Sequence, residues 1–363
     1  MRLDDLLASS FPFCVKHFLA KKFRSEYFIL DVGKVFFMKA LQILKAITEI
    51  ESPSGREEKL AKYILNYLND LGHDAFMEAL NVLLYPEKDF IVATHLDTFK
   101  VLMPFSFDGK YAYGTGVCDA KASIASIILA LEKISEPNFG VAFFYDEEED
   151  GQGSEIFCRK YKPKEALVME PTNLTIANVQ YGGLELLIET GGVASHGATP
   201  EKGENAIERC VEIINRLKEL KEAIVSVQFI NGGKRDDFAI PDSCEMRVEI
   251  MFKPNVKAEK ILEKVSQLCF NKAKIFVKEI YDGFISGEVT KLVEQAITLT
   301  DLEVKFSEMP SWNDSINLRE LANCDTVVFG PGELYLCHTK NERVKLRDIE
   351  IASEILVKLN KLL

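Results

Sequence analysis

Several short apolar runs in this 363-residue chain end in side chains that can bind a metal or move a proton. The first reads Ile91-Val92-Ala93-Thr94-His95-Leu96-Asp97-Thr98. In an extended segment residues i and i+2 share a face, so His95 and Asp97 can touch. A carboxylate that fixes an imidazole's tautomer is the usual companion of a metal-bound histidine. A glycine-rich turn, Gly114-Thr115-Gly116-Val117-Cys118, then delivers Asp119 at a helix start. The run 141–145 ends in Asp146-Glu147-Glu148-Glu149-Asp150, the run 166–169 ends in Glu170-Pro171-Thr172, and Gly330-Pro331-Gly332 leads to His338-Thr339. Each piece alone has an ordinary structural explanation: a paired core histidine, a solvated acidic loop, a helix N-cap. Together, two histidines and three carboxylates at strand ends suit two zinc ions with one bridging carboxylate and a spare glutamate as base.

The elements that must position these groups follow from periodicity. Strand signals fall at 90–93, 141–145, 166–169 and 326–329, with a helical run at 120–134 between the first two. Short apolar strands alternating with helices predict an α/β fold with a mostly parallel, buried sheet flanked by helices. Open sheets of this kind bind ligands beyond the carboxyl ends of their strands, so the chemical groups are expected to converge there. From 184 to 281 the order becomes strand 184–189, helix 205–220, strands 223–231 and 244–252, helix 258–270 and strand 274–279. That β-α-β-β-α-β order is the split, ferredoxin-like unit. It is read as an inserted domain, giving an extension 1–37, a catalytic part 38–183, an inserted domain 184–285 and a second catalytic part 286–363.

Residues 1–37 carry seven phenylalanines without a clean period, and Asp4 and Asp5 sit where a signal peptide needs positive charge. From Met38 a helical pattern opens with Ala40, Ile43, Leu44, Ile47 and Ile50. The folded enzyme is therefore expected to begin near Met38, the preceding segment being an extension or a translated upstream region. Ser54-Gly55-Arg56-Glu57 reads as a capping box for a second helix that Gly72 stops.

Composition excludes several classes. Hydrophobic residues make up 47% and charged residues 28%, as in a globular chain rather than a disordered one. A net charge of −12 argues against nucleic-acid binding, which needs a basic face. No apolar run is long enough for a membrane span. Eight cysteines are dispersed without a C-x-x-C pair, the usage of small buried side chains in a reducing compartment, so a cytoplasmic location is expected.

From Met38 onward the motif order resembles the zinc peptidase and amidohydrolase family of acetylornithine deacetylase, succinyl-diaminopimelate desuccinylase and carboxypeptidase G. The resemblance implies a di-zinc catalytic domain with an inserted ferredoxin-like lid or dimerisation domain, and hence a homodimer. It implies that His95 and Glu170 are ligands, that Asp119 bridges, and that Glu148 and His338 complete the pair of sites. Cobalt or manganese are possible substitutes for zinc. Asp97 would orient His95, and Glu147 would be the general base acting on metal-activated water. The acidic run allows a second register, with Glu148 and Glu149 in the places of Glu147 and Glu148; aligning Gly153-Ser154 with the family's small pair favours the first. The lid stretch Gly192-Val193-Ala194-Ser195-His196-Gly197-Ala198-Thr199-Pro200 matches the segment whose histidine reaches the partner's site, so His196 would stabilise the oxyanion. Cys118 and Cys337, each preceding a ligand, are read as small buried side chains.

On substrate the resemblance points to an N-acyl amino acid in arginine or lysine biosynthesis, including release of lysine or ornithine from an amino-group carrier protein. A di- or tripeptidase is the alternative, and a catalytically silent binding protein a remote one. Met251 stands where family members carry an arginine for a substrate carboxylate. Lys234 and Arg235 lie upstream as possible replacements, and Trp312 as a possible pocket wall. No substrate-binding residue is assigned.

Overall fold

The structure is a computed structural model and describes residues 32–363, with side chains from residue 38. Most of the segment 1–37 therefore lies outside the described residues. The helix expected from Met38 begins at Val32 and runs to Thr48. The described residues form two compact units: one of residues 32–176, 288–305 and 317–363, the other of 177–287 and 306–316.

The first unit is built on strands that are apolar end to end. Phe90–His95 and Gly140–Phe144 are buried at every position, as strands covered on both faces must be. Strand Phe90–His95 pairs in parallel with Gly140–Phe144 on one side and Glu165–Val168 on the other, and Asp325–Val328 runs parallel to Glu165–Val168. The hairpin Phe76–Glu78/Asn81–Leu84 adds antiparallel strands beside Gly140–Phe144. The sheet is thus mixed, with the expected parallel core and antiparallel strands toward its edges. The registers His95↔Phe144, Ala93↔Val168 and Val168↔Val328 bring four strands to their carboxyl ends at one edge. Helix Lys121–Leu131 is wholly buried. It meets the C-terminal helix Leu346–Leu362 through the Ser126 hydroxyl, which donates to the Ile349 carbonyl at 3.2 Å.

The expected capping box is not formed. Helix Glu58–Asp70 has no side-chain cap. The Glu57 carboxylate accepts the N–H of Gly55, and the Ser54 hydroxyl donates instead to Asp97 at 2.8 Å. The bond to Asp97 has a charged acceptor and is therefore of the stronger kind. The stop at Gly72 does form, with φ +91°.

The second unit contains a four-stranded antiparallel sheet. Its order is Ala223–Gly232, Ser243–Phe252, Gly182–Gly191, Ala273–Tyr281. Helices Ala206–Leu217 and Ala258–Cys269 bury single stripes, Ala206/Cys210/Ile213/Leu217 and Ala258/Ile261/Val265/Cys269. Along Ser243–Phe252 the residues Cys244, Met246, Val248, Ile250 and Phe252 are buried, so one face of the sheet carries that core. Connectivity and order are those of the ferredoxin-like unit. The expected single return to the catalytic domain after 285 is interrupted, since 306–316 belongs to this second unit. Strand Phe306–Met309 pairs with Ile176–Gln180, which accounts for the grouping.

Candidate metal centre

The carboxyl-end edge of the first unit collects the acidic and imidazole side chains. His95 is the last residue of its strand and is fully buried. Its Nδ1 lies 2.9 Å from the main-chain carbonyl of Asp97, an atom that can only accept. The proton therefore sits on Nδ1, and Nε2 is the nitrogen offered to the site. Around Nε2 stand Asp119 Oδ1 at 3.0 Å, Glu170 Oε1 at 3.8 Å and Glu147 Oε2 at 3.9 Å. His338 Nε2 lies 3.4 Å from the other oxygen of Asp119 and 2.9 Å from Glu148 Oε2. Asp119 thus presents one oxygen to each histidine.

Two groups result, His95/Asp119/Glu170 and Asp119/Glu148/His338, each with its donor atoms within 4.8 Å of one another. Asp119 is common to both. Imidazole nitrogen and carboxylate oxygen are donors that a pair of divalent ions takes, and a shared carboxylate is how such a pair is held together. The donor chemistry fits.

The electrostatics describe what such ions would replace. Burial alone would make His95 less basic, but the charges of Glu147 and Glu170 and bonds to Asp119 and Asp97 raise its pKa well above the usual value. Burial works the same way on His338, yet its bonds to Asp119 and Glu148 push it up to about 10. Asp119 is held low: against burial, bonds to His338 and His95 favour its charged form. Glu148 is raised by burial, partly offset by His338. Positive charge is demanded at two points, and protons on the imidazoles supply it when no cation does.

Asp97 does more than face His95. Its buried carboxylate accepts the main-chain N–H of Glu147 on Oδ1 and of Glu148 on Oδ2, both at 3.0 Å, together with the Ser54 hydroxyl. It therefore fixes the turn that carries two further site residues, while His95 is oriented mainly by the Asp97 carbonyl. Asp146 opens that turn at φ +64° and Gly151 closes it at φ +62°. Glu149 is exposed and belongs to neither donor group, whereas Glu148 belongs to one.

Sequence reasoning missed Ser54 and Phe99. The Phe99 N–H donates to Glu148 Oε1 at 3.1 Å, and its ring stacks on His338 with centroids 4.9 Å apart. A histidine two positions before an aspartate signals itself in sequence; an aromatic in the following loop does not. Cys118 and Cys337 are buried, with the Cys337 thiol donating to Cys118 Sγ at 3.4 Å, and neither belongs to a donor group. His73 is also buried, its Nε2 3.1 Å from the Leu131 carbonyl. His17 lies outside the described residues.

His196 sits exposed in the second unit, on the two-residue strand Ser195–His196, and its Nδ1 accepts the Ala198 N–H at 3.1 Å. Met251 is half-buried on strand Ser243–Phe252, Lys234 and Arg235 are exposed, and Trp312 is half-buried.

The model of peptidase family M20/M25/M40 matches residues 91–361. The chain belongs to that family. An uncharacterised metallohydrolase of Methanocaldococcus jannaschii is 27% identical over 91% of this chain and 99% of its own length. A putative [LysW]-lysine/[LysW]-ornithine hydrolase of Pyrobaculum aerophilum is 26% identical, covering 90% and 96%. Among solved structures, a tripeptidase of Staphylococcus aureus superposes with a TM-score of 0.73 at 17% identity, over 90% of this chain and 98% of that one. As an M20 member the chain is a metallohydrolase acting on amide or peptide bonds. Among the described residues no helix is long and apolar enough to cross a membrane.

Proposed function

We propose that this M20 chain hydrolyses the amide bond of an N-acyl amino acid with two zinc ions and a glutamate base. The observation that carries the reading is the overlap of two donor groups on Asp119, with Glu147 beside them. His95, Asp119 and Glu170 would hold one ion, and Asp119, Glu148 and His338 the other. Mixed imidazole and carboxylate donors suit zinc, with cobalt or manganese as substitutes. Bound there, the ions supply Lewis acidity and bring the pKa of water toward ~7.

The chain's own groups do the rest. Glu147 stands at the rim of the donor set, where its carboxylate takes a proton from the attacking water and returns it to the leaving amine. Asp97 holds the main chain of Glu147 and Glu148, so base and ligand are placed by one buried group. His95 is locked with Nε2 toward the site. His196, supplied by a second copy of the chain in a homodimer, is proposed to donate to the oxyanion of the tetrahedral state.

The similarity to the Pyrobaculum hydrolase over nearly the whole of both chains supports an acylated lysine or ornithine as substrate, free or on a carrier protein. A di- or tripeptidase is the second reading. The match to a peptidase family model supports it, while Met251 leaves either substrate's carboxylate without a bidentate partner at that position. The test is amine release by metal-loaded protein on Nα-acetylornithine, Nα-acetyl-lysine and N-succinyl-diaminopimelate against free di- and tripeptides. Turnover confined to the acylated set is expected; turnover confined to peptides would replace the first reading by the second.

A further inference from the structure

Glu342 follows His338 by four residues and is buried, at 2% exposure. Its carboxylate reaches the turn that carries Asp119. Oε2 accepts the N–H of Gly116 at 3.0 Å, and Oε1 accepts those of Cys118 at 3.0 Å and Asp119 at 3.2 Å. Amides converging in this way form a concavity that binds an anion, and here the chain supplies its own. The turn's shape depends on Gly116, whose φ is +78° and whose missing Cβ would lie 2.4 Å from Thr98 Cγ2. On the other side Glu342 is fixed by the chain around it. Its N–H donates to the Thr339 carbonyl at 3.3 Å, and Arg343 pairs with Tyr113, one residue before the turn begins.

We propose that Glu342 is a positioning residue of the metal pair, setting the separation of Asp119 from His338. The inference rests on the metal reading given above. Its physical content is an asymmetry. His95 and Glu170 leave the ends of two paired strands and keep their places without Glu342. Asp119 and His338 lie in two loops, and the Glu342 carboxylate joins one to the other. Loosening that link should therefore weaken the Asp119/Glu148/His338 group, where two of three donors lose their support, more than the His95/Asp119/Glu170 group, where only the shared Asp119 does.

The test is Glu342→Gln, whose amide nitrogen must face a main-chain N–H that now meets an acceptor. Zinc affinities of wild type and variant are read by chelator competition, with circular dichroism and melting of the metal-free proteins alongside. Two ions are expected in both, the one at the His338 side weakened about 10- to 100-fold, the usual cost of removing a ligand's support, and the one at the His95 side weakened less. Glu342→Asp keeps the charge on a shorter arm and should fall between the two; it carries the comparison if the glutamine variant does not fold. A merely structural role would lower the melting temperature and leave the ratio of the two affinities unchanged, which would overturn the proposal. Equal affinities in wild type and folded variant would overturn it alone. A wild type that binds fewer than two ions would overturn the metal reading and this inference with it.

Discussion

Replacing Asp97 by asparagine separates two roles that the sequence merges into one. Asparagine has one acceptor oxygen where aspartate has two, so its amide nitrogen must face either the Glu147 N–H or the Glu148 N–H. The Ser54 hydroxyl shares Oδ2 with the Glu148 N–H and can turn to accept from an amide. The less costly orientation thus keeps the Glu147 bond and gives up the one at Glu148. Losing one hydrogen bond to a buried charged group costs about 1.5–3 kcal/mol. At roughly 2–4 °C per kcal/mol, the metal-free variant should melt about 3–12 °C lower. His95 should stay in place, because its Nδ1 is held by the Asp97 carbonyl, which the substitution leaves alone. Zinc at the Glu148 side should weaken by about 10- to 100-fold, with the His95 side little changed. Thermal melts of chelated protein and chelator competition on loaded protein measure both effects. Preferential loss at His95, or an unchanged melt with both affinities intact, would show that the Asp97 carboxylate does not hold the Glu148 turn.

Glu147→Gln should lower turnover by about 10²- to 10⁴-fold, the range for a lost general base, with both ions retained; near-unchanged turnover instead would favour the second register, in which Glu148 is the base. Phe99→Ala removes a stacking contact worth about 0.5–1.5 kcal/mol and should weaken the His338 side about two- to tenfold, read by the same chelator competition. In the metal-free protein His338 is raised to about 10 against an unfolded value near 6.5. A raised histidine stabilises fully below its unfolded pKa and ceases to as pH climbs through the folded one. Chelated protein should therefore lose melting temperature between about pH 6.5 and pH 10, and loaded protein should lose less, because the ions take over the role of the protons.

The parallel core was legible because its strands are unbroken apolar runs, and the site was legible because open sheets place ligands beyond strand ends. His95, Glu147, Glu148 and Glu170 follow those runs closely and are brought to one edge by their registers, whereas Asp119 and His338 arrive on loops. What escaped is what depends on distant partners. Ser54 and Glu57 match a local capping pattern, but a buried carboxylate 43 residues away takes the hydroxyl. Phe99 looks like any loop aromatic until His338 is brought under it. Segment 306–316 carries no boundary signal, and its membership is set by strand pairing with 176–180.

One carboxylate, Asp119, is proposed to join two metal sites. Native mass spectrometry of zinc-loaded wild type and Asp119→Ala, both checked for folding, tests it most directly. Wild type should carry two ions and the variant should lose tight binding at both positions. A folded Asp119→Ala protein that still carries two ions would contradict the account.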